Sequence, residues 1–210
     1  MASTPAPLFD REDLDRVAAA IAEAERTTAG EIRVVIQTRP LVRHGFYSLL
    51  WAALAALVAP WALVMVISLR PIEMLAIQAV VFVIVGALLS LPPLVPRVVP
   101  PIARRAAARA AALDQFLAHG VHQTRARTGI LIFVAVPDHR VEVVADEGIH
   151  AHVGEAAWGA VCETVLAGAR AGRLGDGLCD GVAAAGAVLA AHVPRHPDDT
   201  NELSDRLVVM

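Results

Sequence analysis

The chain has 210 residues, 56% of them hydrophobic, and a formal net charge of −3. That length accommodates one ordinary domain with an addition, not two large domains. Mean hydropathy is +0.56, the hydrophobic share exceeds the roughly 45–50% of soluble domains, and so small a net charge excludes a chain-wide polyanion-binding surface.

Met1 to Pro7 offers neither a basic opening nor an apolar run, so no signal peptide is expected. Asp10 is placed to cap a helix whose first turn carries Glu12 and Asp13, favourable charges near the positive end of the dipole. Leu14, Val17, Ile21 and Ala24 recur at helical spacing, with Arg16, Glu23 and Arg26 on the other side and Gly30 as the expected stop. Glu31 to Thr38 then alternates. Ile32, Val34 and Ile36 form the buried side of a strand; Arg33, Val35 and Gln37 form the other.

Between Arg43 and Arg97 the only charges are Arg70 and Glu73. The uncharged runs on either side, Phe46 to Leu69 and Met74 to Pro96, each exceed the roughly 20 apolar residues that cross a bilayer core as helix. The pattern predicts a transmembrane helical hairpin turning at Ser68 to Glu73. Tyr47 and Trp51 stand near one interface, Trp61 lies deeper, and Pro60 is a candidate kink. A buried hairpin inside a water-soluble body is the less economical reading, because few other residues remain to cover it. Pro92, Pro93, Pro96, Pro100 and Pro101 suggest a stiff, non-helical exit.

Arg39 and Arg43 precede the spans, and Arg97, Arg104, Arg105 and Arg109 follow them, against Arg70 alone in the turn. The positive-inside rule puts both termini in the cytoplasm, at a bacterial inner membrane. There Arg97, Arg104, Arg105 and Arg109 would meet anionic lipid headgroups, at ~1 kcal/mol per residue near the surface. No aromatic residue interleaves with this basic cluster and no binding motif accompanies it, so a nucleic-acid partner is not expected. Cys162 and Cys179 are expected to stay reduced.

Ile102 to Ala118 reads as a helix closed by Gly120. Gly129 to Val136 is apolar on both faces, as a central strand covered on both sides must be. Pro137-Asp138-His139 turns the chain into a second strand, Arg140 to Asp146, antiparallel to the first. Two Ala-rich helices follow, about Glu155 to Ala171 and Asp176 to His192, with Gly172, Gly175 and Gly177 as a flexible connection. The tail from Pro197 to Met210 is polar until Leu207-Val208-Val209.

The expected fold class is α+β: a small mixed sheet sandwiched between helices and interrupted by the inserted hairpin. Residues 1–43 and 98–196 form one soluble domain, 44–97 the hairpin and 197–210 a tail.

Thr28 to Ile36, Thr128 to Val136, Arg140 to His150 and the Gly/Asp segment Ala171 to Leu178 together resemble the TPM-domain family. The tail Asp198 to Arg206 is similar to that of its membrane-anchored bacterial branch. The resemblance implies a TPM-like fold. Some members, notably in plant thylakoids, are linked with acid phosphatase activity, a bound divalent cation and photosystem repair; others are membrane accessory proteins. The family often carries Asp-Asn-Gly before the central strand, where this chain has Arg127-Thr128-Gly129. An Arg repels a cation that hard oxygen ligands would otherwise hold.

Asp146, Glu147 and Asp176 remain as candidate ligands for Ca²⁺ or Mg²⁺, provided the strand end and the helix start converge. Otherwise Asp176 caps its helix and Asp146-Glu147-Gly148 is a solvated turn. His119, His122, His150 and His152 lack zinc-site spacing, and no GxSxG, P-loop or GxGxxG is present. The leading expectation is therefore a non-catalytic binding or accessory role for a membrane-anchored TPM-like protein. A divalent-cation phosphatase and an assembly factor acting through small residues of the hairpin, Ala52, Ala55, Ala56 and Ala59, are the alternatives.

Overall fold

In the computed structural model, which describes residues 9–91, 94–195 and 200–210, Asp10 caps helix α1 (Arg11–Glu25), its Oδ1 accepting the Asp13 N–H at 2.7 Å. Val17, Ile21 and Ala24 are its buried stripe. Gly30 is not its stop. The helix ends at Glu25, and Thr28 instead ties the next segment across the fold, its hydroxyl donating to the Val193 carbonyl at 2.6 Å. Met1 to Pro7 lie outside the described residues.

Strand β1 (Glu31–Gln37) leads to helices α2 (His44–Val64), α3 (Pro71–Leu89), α4 (Val95–Val98) and α5 (Pro101–Ala118). A 3₁₀ turn, Val121–Gln123, precedes strands β2 (Gly129–Ala135) and β3 (Arg140–Ala145). Helices α6 (Glu147–His150), α7 (Glu155–Arg170) and α8 (Leu174–His192) follow, and strand β4 (Val208–Val209) closes the order. The chain divides into two compact units, one of Met1–Pro40 with Ala108–Met210, the other of Leu41–Ala107.

The first unit is built on a four-stranded sheet in the order β3-β2-β1-β4. β1 runs parallel to β2 and β4, while β2 and β3 are antiparallel, so the sheet is mixed. Ile32, Val34 and Ile36 sit in register with Ile130, Ile132 and Val134. On that face they join Val17 and Ile21 of α1, Val161 and Val165 of α7, and Leu178, Val182 and Leu189 of α8 in one core.

The opposite face is buried in part. Val35, Leu131 and Phe133 are almost wholly withdrawn from water, and residues 108–118 of α5 bury Ala108, Ala112 and Phe116. Arg109 of α5 donates to the Val143 carbonyl at 3.2 Å and lies 3.9 Å from Glu142. On the second face of β1 Glu31 and Val35 are buried while Arg33 and Gln37 are half-exposed, so that face is covered only in part, and β1 keeps the one fully buried face expected of it, Ile32, Val34 and Ile36.

The end of the chain is part of the sheet. The buried Glu31 carboxylate accepts the backbone N–H groups of Glu202 and Leu203 at 3.0 and 3.1 Å, and Met210 N–H donates to Ile36 O at 2.8 Å. Pro197 to Asp199 lie outside the described residues. Cys162 and Cys179 are free thiols, and burial, the largest cause, together with Glu142 pushes the Cys162 thiol up to about 11.

In the second unit α2 and α3 pack on each other. Ser48, Ala52, Ala56 and Pro60, each four residues from the last, are the buried line of α2. Ser48 Oγ donates to His44 O at 3.2 Å and lies 3.3 Å from Leu89 O, so its hydroxyl is satisfied within the pair. Ala52 and Ala56, half of the small-residue stripe considered for partner helices, are consumed inside this seam.

α2 continues through Pro60 to Val64. Arg70 and Glu73 start α3 together: Glu73 Oε2 accepts the Arg70 N–H at 2.8 Å and Oε1 accepts two guanidinium bonds at 2.8 and 2.6 Å. The exit is helical where a stiff break was expected. Pro96 lies within α4 and Pro101 opens α5, first-turn positions where a missing N–H costs nothing. Pro92 and Pro93 lie outside the described residues.

Among the described residues three helices are long and apolar enough, by length and composition, to cross a membrane: α2, α3 and α8. α8 was not expected among them. It qualifies because Ala, Val, Leu and Gly make a buried helix as apolar as a span, and within its own unit it packs on α1 and α7.

A cleft at the carboxyl ends of the parallel strands

β1 and β2 end side by side at Gln37 and Ala135. The chain leaves β2 through a turn closed by a 3.1 Å bond from His139 N–H to Val136 O, with His139 in the left-handed region at φ 49°. Across from this turn α7 gives way to α8 through Gly172, whose φ of 71° suits a residue without Cβ. The two connections enclose a cleft of about 390 Å³. Val134, Val136, Val141 and Leu166 supply apolar lining; Asp13, Arg16, His139, Arg140, Arg173 and Asp176 supply the polar part.

α8 reaches this position because α1 and α7 let it approach closely. A Cβ on Gly177 would lie 2.8 Å from the Gly168 Cα, and one on Gly175 would lie 2.7 Å from Asp13 Oδ1. Gly175 and Gly177 are thus tight packing positions inside α8, not the flexible connection expected of them; only Gly172 turns the chain.

Charge in the cleft is arranged around Arg16. Its Nη1 donates to Asp176 Oδ1 at 2.7 Å and its Nη2 to Asp13 Oδ1 at 2.5 Å, while Arg173 stands 3.6 Å from Asp176 Oδ2. The Arg16 hydrogen bond holds the Asp176 carboxyl below the usual carboxylate range. Arg140 is half-buried and pairs with Ala135 through its backbone; its side chain, among the described residues, makes no hydrogen bond or ion pair.

The three expected metal ligands are not brought together. Asp176 lines the cleft with Val134 and Val136. Asp146 lies at the other end of the strands, where Ala145 pairs with Ile130 and Asp146 N–H donates to Gly129 O. Five strand residues, roughly 17 Å at 3.3 Å each, separate these ends. Asp146 is 4% exposed and caps α6, its Oδ1 accepting Glu147 N–H at 2.7 Å, and Glu147 itself faces solvent. Arg127 Nη2 is 3.3 Å from the same Oδ1. Among the described residues no three His, Cys, Asp or Glu side chains converge as a metal site. A divalent cation does not fit beside Asp146, where a guanidinium already sits.

The histidines are dispersed. His150 and His152 are exposed around the end of α6, whereas His119 and His122 follow α5 and keep ring nitrogens buried without a partner. Asp13, Arg16, His139, Arg140 and Arg173 were not recognised as site residues from sequence. Each looks locally like a helix face, a turn or a helix start.

Comparison with known proteins places this architecture. Residues 96–188 match a family model, the TPM domain. The NMR structure of BA42 protein from the psychrophilic bacterium Bizionia argentinensis superposes at a TM-score of 0.62 and 20% identity, covering 100% of this chain and 100% of that one. At that identity the likeness is one of fold. No curated relative matches.

Proposed function

From the premise that residues 96–188 are a TPM domain, we propose that this chain is a membrane-anchored binding protein of accessory rather than catalytic role. In this reading α2 and α3 cross the bilayer, and the unit of Met1–Pro40 and Ala108–Met210 offers its cleft on the cytoplasmic side.

The apolar surface of the helix pair carries the proposal. Phe46 is 64% exposed, Trp61 59% and Met65 83%, and no residue of α3 is fully buried. Each large apolar side chain left in water forgoes about 1.5–3 kcal/mol of burial. A surface this continuous needs lipid or a partner, and helices long enough to span favour lipid.

Orientation follows from the arginines flanking the pair, since Arg70, between α2 and α3, already gives its charge to Glu73. Arg97, Arg104 and Arg105, with Arg109, which is shared with Glu142, would engage anionic headgroups. A binding role is favoured over hydrolysis because the two carboxylates of the cleft, Asp13 and Asp176, are both held by Arg16, leaving neither as a general base.

The test is topological. The protein is expected to resist alkaline extraction from membranes and to require detergent. A reporter inserted at Arg70 should be exposed outside the inner membrane while both termini are protected. Recovery as a detergent-free soluble protein, or cytoplasmic labelling of Arg70, overturns the reading.

A further inference from the structure

We infer that α5 is an interfacial helix, whose outer face settles on the anionic surface of the bilayer that α2 and α3 cross. The inference rests on the spanning reading above and adds to it a second, peripheral contact with lipid.

Helical spacing defines the face. At about 100° per residue, Ile102, Ala106, Leu113 and Leu117 fall within roughly 60° of one another on α5. Ile102 is 79% exposed, Leu117 58% and Leu113 42%. The helix uses a neighbouring stripe, Ala108, Ala112 and Phe116, for its own burial. Its apolar arc is therefore wider than the fold covers. Among the described residues of the first unit, the exposed large apolar side chains are Leu113 and Leu117 and, at the chain end, Val209 and Met210. α1, α7 and α8 leave none.

Charge selects the occupant. Arg105 and Arg109 border the arc on one side and are exposed, with Arg109 3.9 Å from Glu142. Asp114, on the far border, is the only acid of α5, against Arg104, Arg105 and Arg109. An apolar arc edged by arginines is the pattern of helices that lie in a membrane surface, with leucines at the acyl boundary and guanidinium groups among phosphates. A protein partner is less well served. A stable interface takes roughly 800 Å² from each side and centres on aromatic anchors, whereas this arc offers three aliphatic side chains set among alanines.

Reach agrees with this occupant. α3 ends at Leu89 and α5 begins at Pro101, and a link of about a dozen residues spans at most ~40 Å.

Nitroxide labels on the full-length protein in lipid vesicles test the inference. Cys162→Ala and Cys179→Ala remove the native thiols. Labels are then placed singly at Ala110→Cys, one turn before Leu113, at Glu163→Cys on α7 and at Val83→Cys on α3. In phosphatidylcholine vesicles containing phosphatidylglycerol, the Ala110→Cys label should lie ~5–10 Å below the headgroup level and lose most of its collisions with an aqueous nickel chelate. Glu163→Cys should keep them. Adding Leu113→Gln and Leu117→Gln, both at exposed positions, should return the Ala110→Cys label to water, and omitting phosphatidylglycerol should raise it. An Ala110→Cys label as open to nickel as Glu163→Cys, with Val83→Cys dry, would overturn this inference alone. Nickel reaching Val83→Cys would overturn the spanning reading and this inference with it. A screened Ala110→Cys label that the two glutamines leave unmoved would show that the leucines do not hold α5 to the surface, and the inference would fall.

Discussion

Arg127 sets its Nη2 3.3 Å from Oδ1 of Asp146, a carboxylate only 4% exposed. Arg127 holds the left-handed backbone region at φ 56°, uncommon for a residue with a Cβ, and its Nη1 donates to the His122 carbonyl. Its own carbonyl accepts Gly148 N–H at 3.0 Å, so backbone and side chain both bind the start of α6. Asp146 Oδ2 is buried with no partner, which leaves the guanidinium as the cation nearest this charge. Removing one member of a fully buried pair costs about 3–5 kcal/mol; here the arginine side chain is 48% exposed, and screening reduces the effect. Arg127→Gln is expected to lower stability by about 1–2 kcal/mol in urea unfolding of the detergent-solubilised protein. No change in the midpoint would show that the pair is inert.

The same contact predicts the response to divalent cations. A ligand that binds only the native state at 100 times its Kd stabilises by about 2.7 kcal/mol, which a thermal melt registers readily. With a guanidinium already beside Asp146 and, among the described residues, no cluster of three ligating side chains around it, millimolar Ca²⁺ or Mg²⁺ should leave the melting temperature unchanged. A rise with Ca²⁺ that Asp146→Asn abolishes would show that the cation displaces Arg127.

How much of this was legible from sequence depends on how far each cause reaches along the chain. Asp10 capping α1 and the seven buried residues of β2 were readable, because a cap needs only its own first turn and a doubly covered strand is apolar throughout. Residues 147–150 form a single helical turn, too short for periodicity to announce it, where the sequence offered Asp146-Glu147-Gly148 as either metal ligands or a solvated turn. The cleft was illegible for another reason. Arg16 and Asp176 are 160 positions apart, and each alone reads as an ordinary helix-face charge. Likewise a glycine in α8 reads as flexibility until its neighbour across the interface is known to be another glycine.

That neighbour makes a sharp prediction. Gly168 of α7 and Gly177 of α8 meet backbone to backbone: a Cβ on Gly168 would lie 2.4 Å from the Gly177 Cα, and one on Gly177 would lie 3.0 Å from Val165 O. No rotamer relieves a backbone clash, so the helices must separate. Ala favours helix over Gly by roughly 1 kcal/mol, which opposes the loss. Overpacking outweighs it, and Gly168→Ala should destabilise by about 1–3 kcal/mol. Gly159→Ala, on α7 with open space around it, should be neutral or stabilising. Equal effects of the two substitutions in urea unfolding would refute close packing of α7 on α8.

His119 supplies the pH dependence. Burial, and secondarily the charge of Arg33, lower its pKa from 6.5, and its buried Nε2 has no partner. Between the folded value and the unfolded value of about 6.5 the unfolded chain binds more protons, so stability rises with pH across that window. The full contribution is present above about pH 6.5 and is lost as pH falls through the folded pKa. His119→Gln cannot take up this proton. On going from about pH 7.5 to about pH 5 the wild type should lose more stability than His119→Gln, measured as the shift in thermal midpoint in the same detergent. Parallel pH profiles would mean that the imidazole titrates alike in both states, and that burial at the end of α5 imposes no cost on its charge.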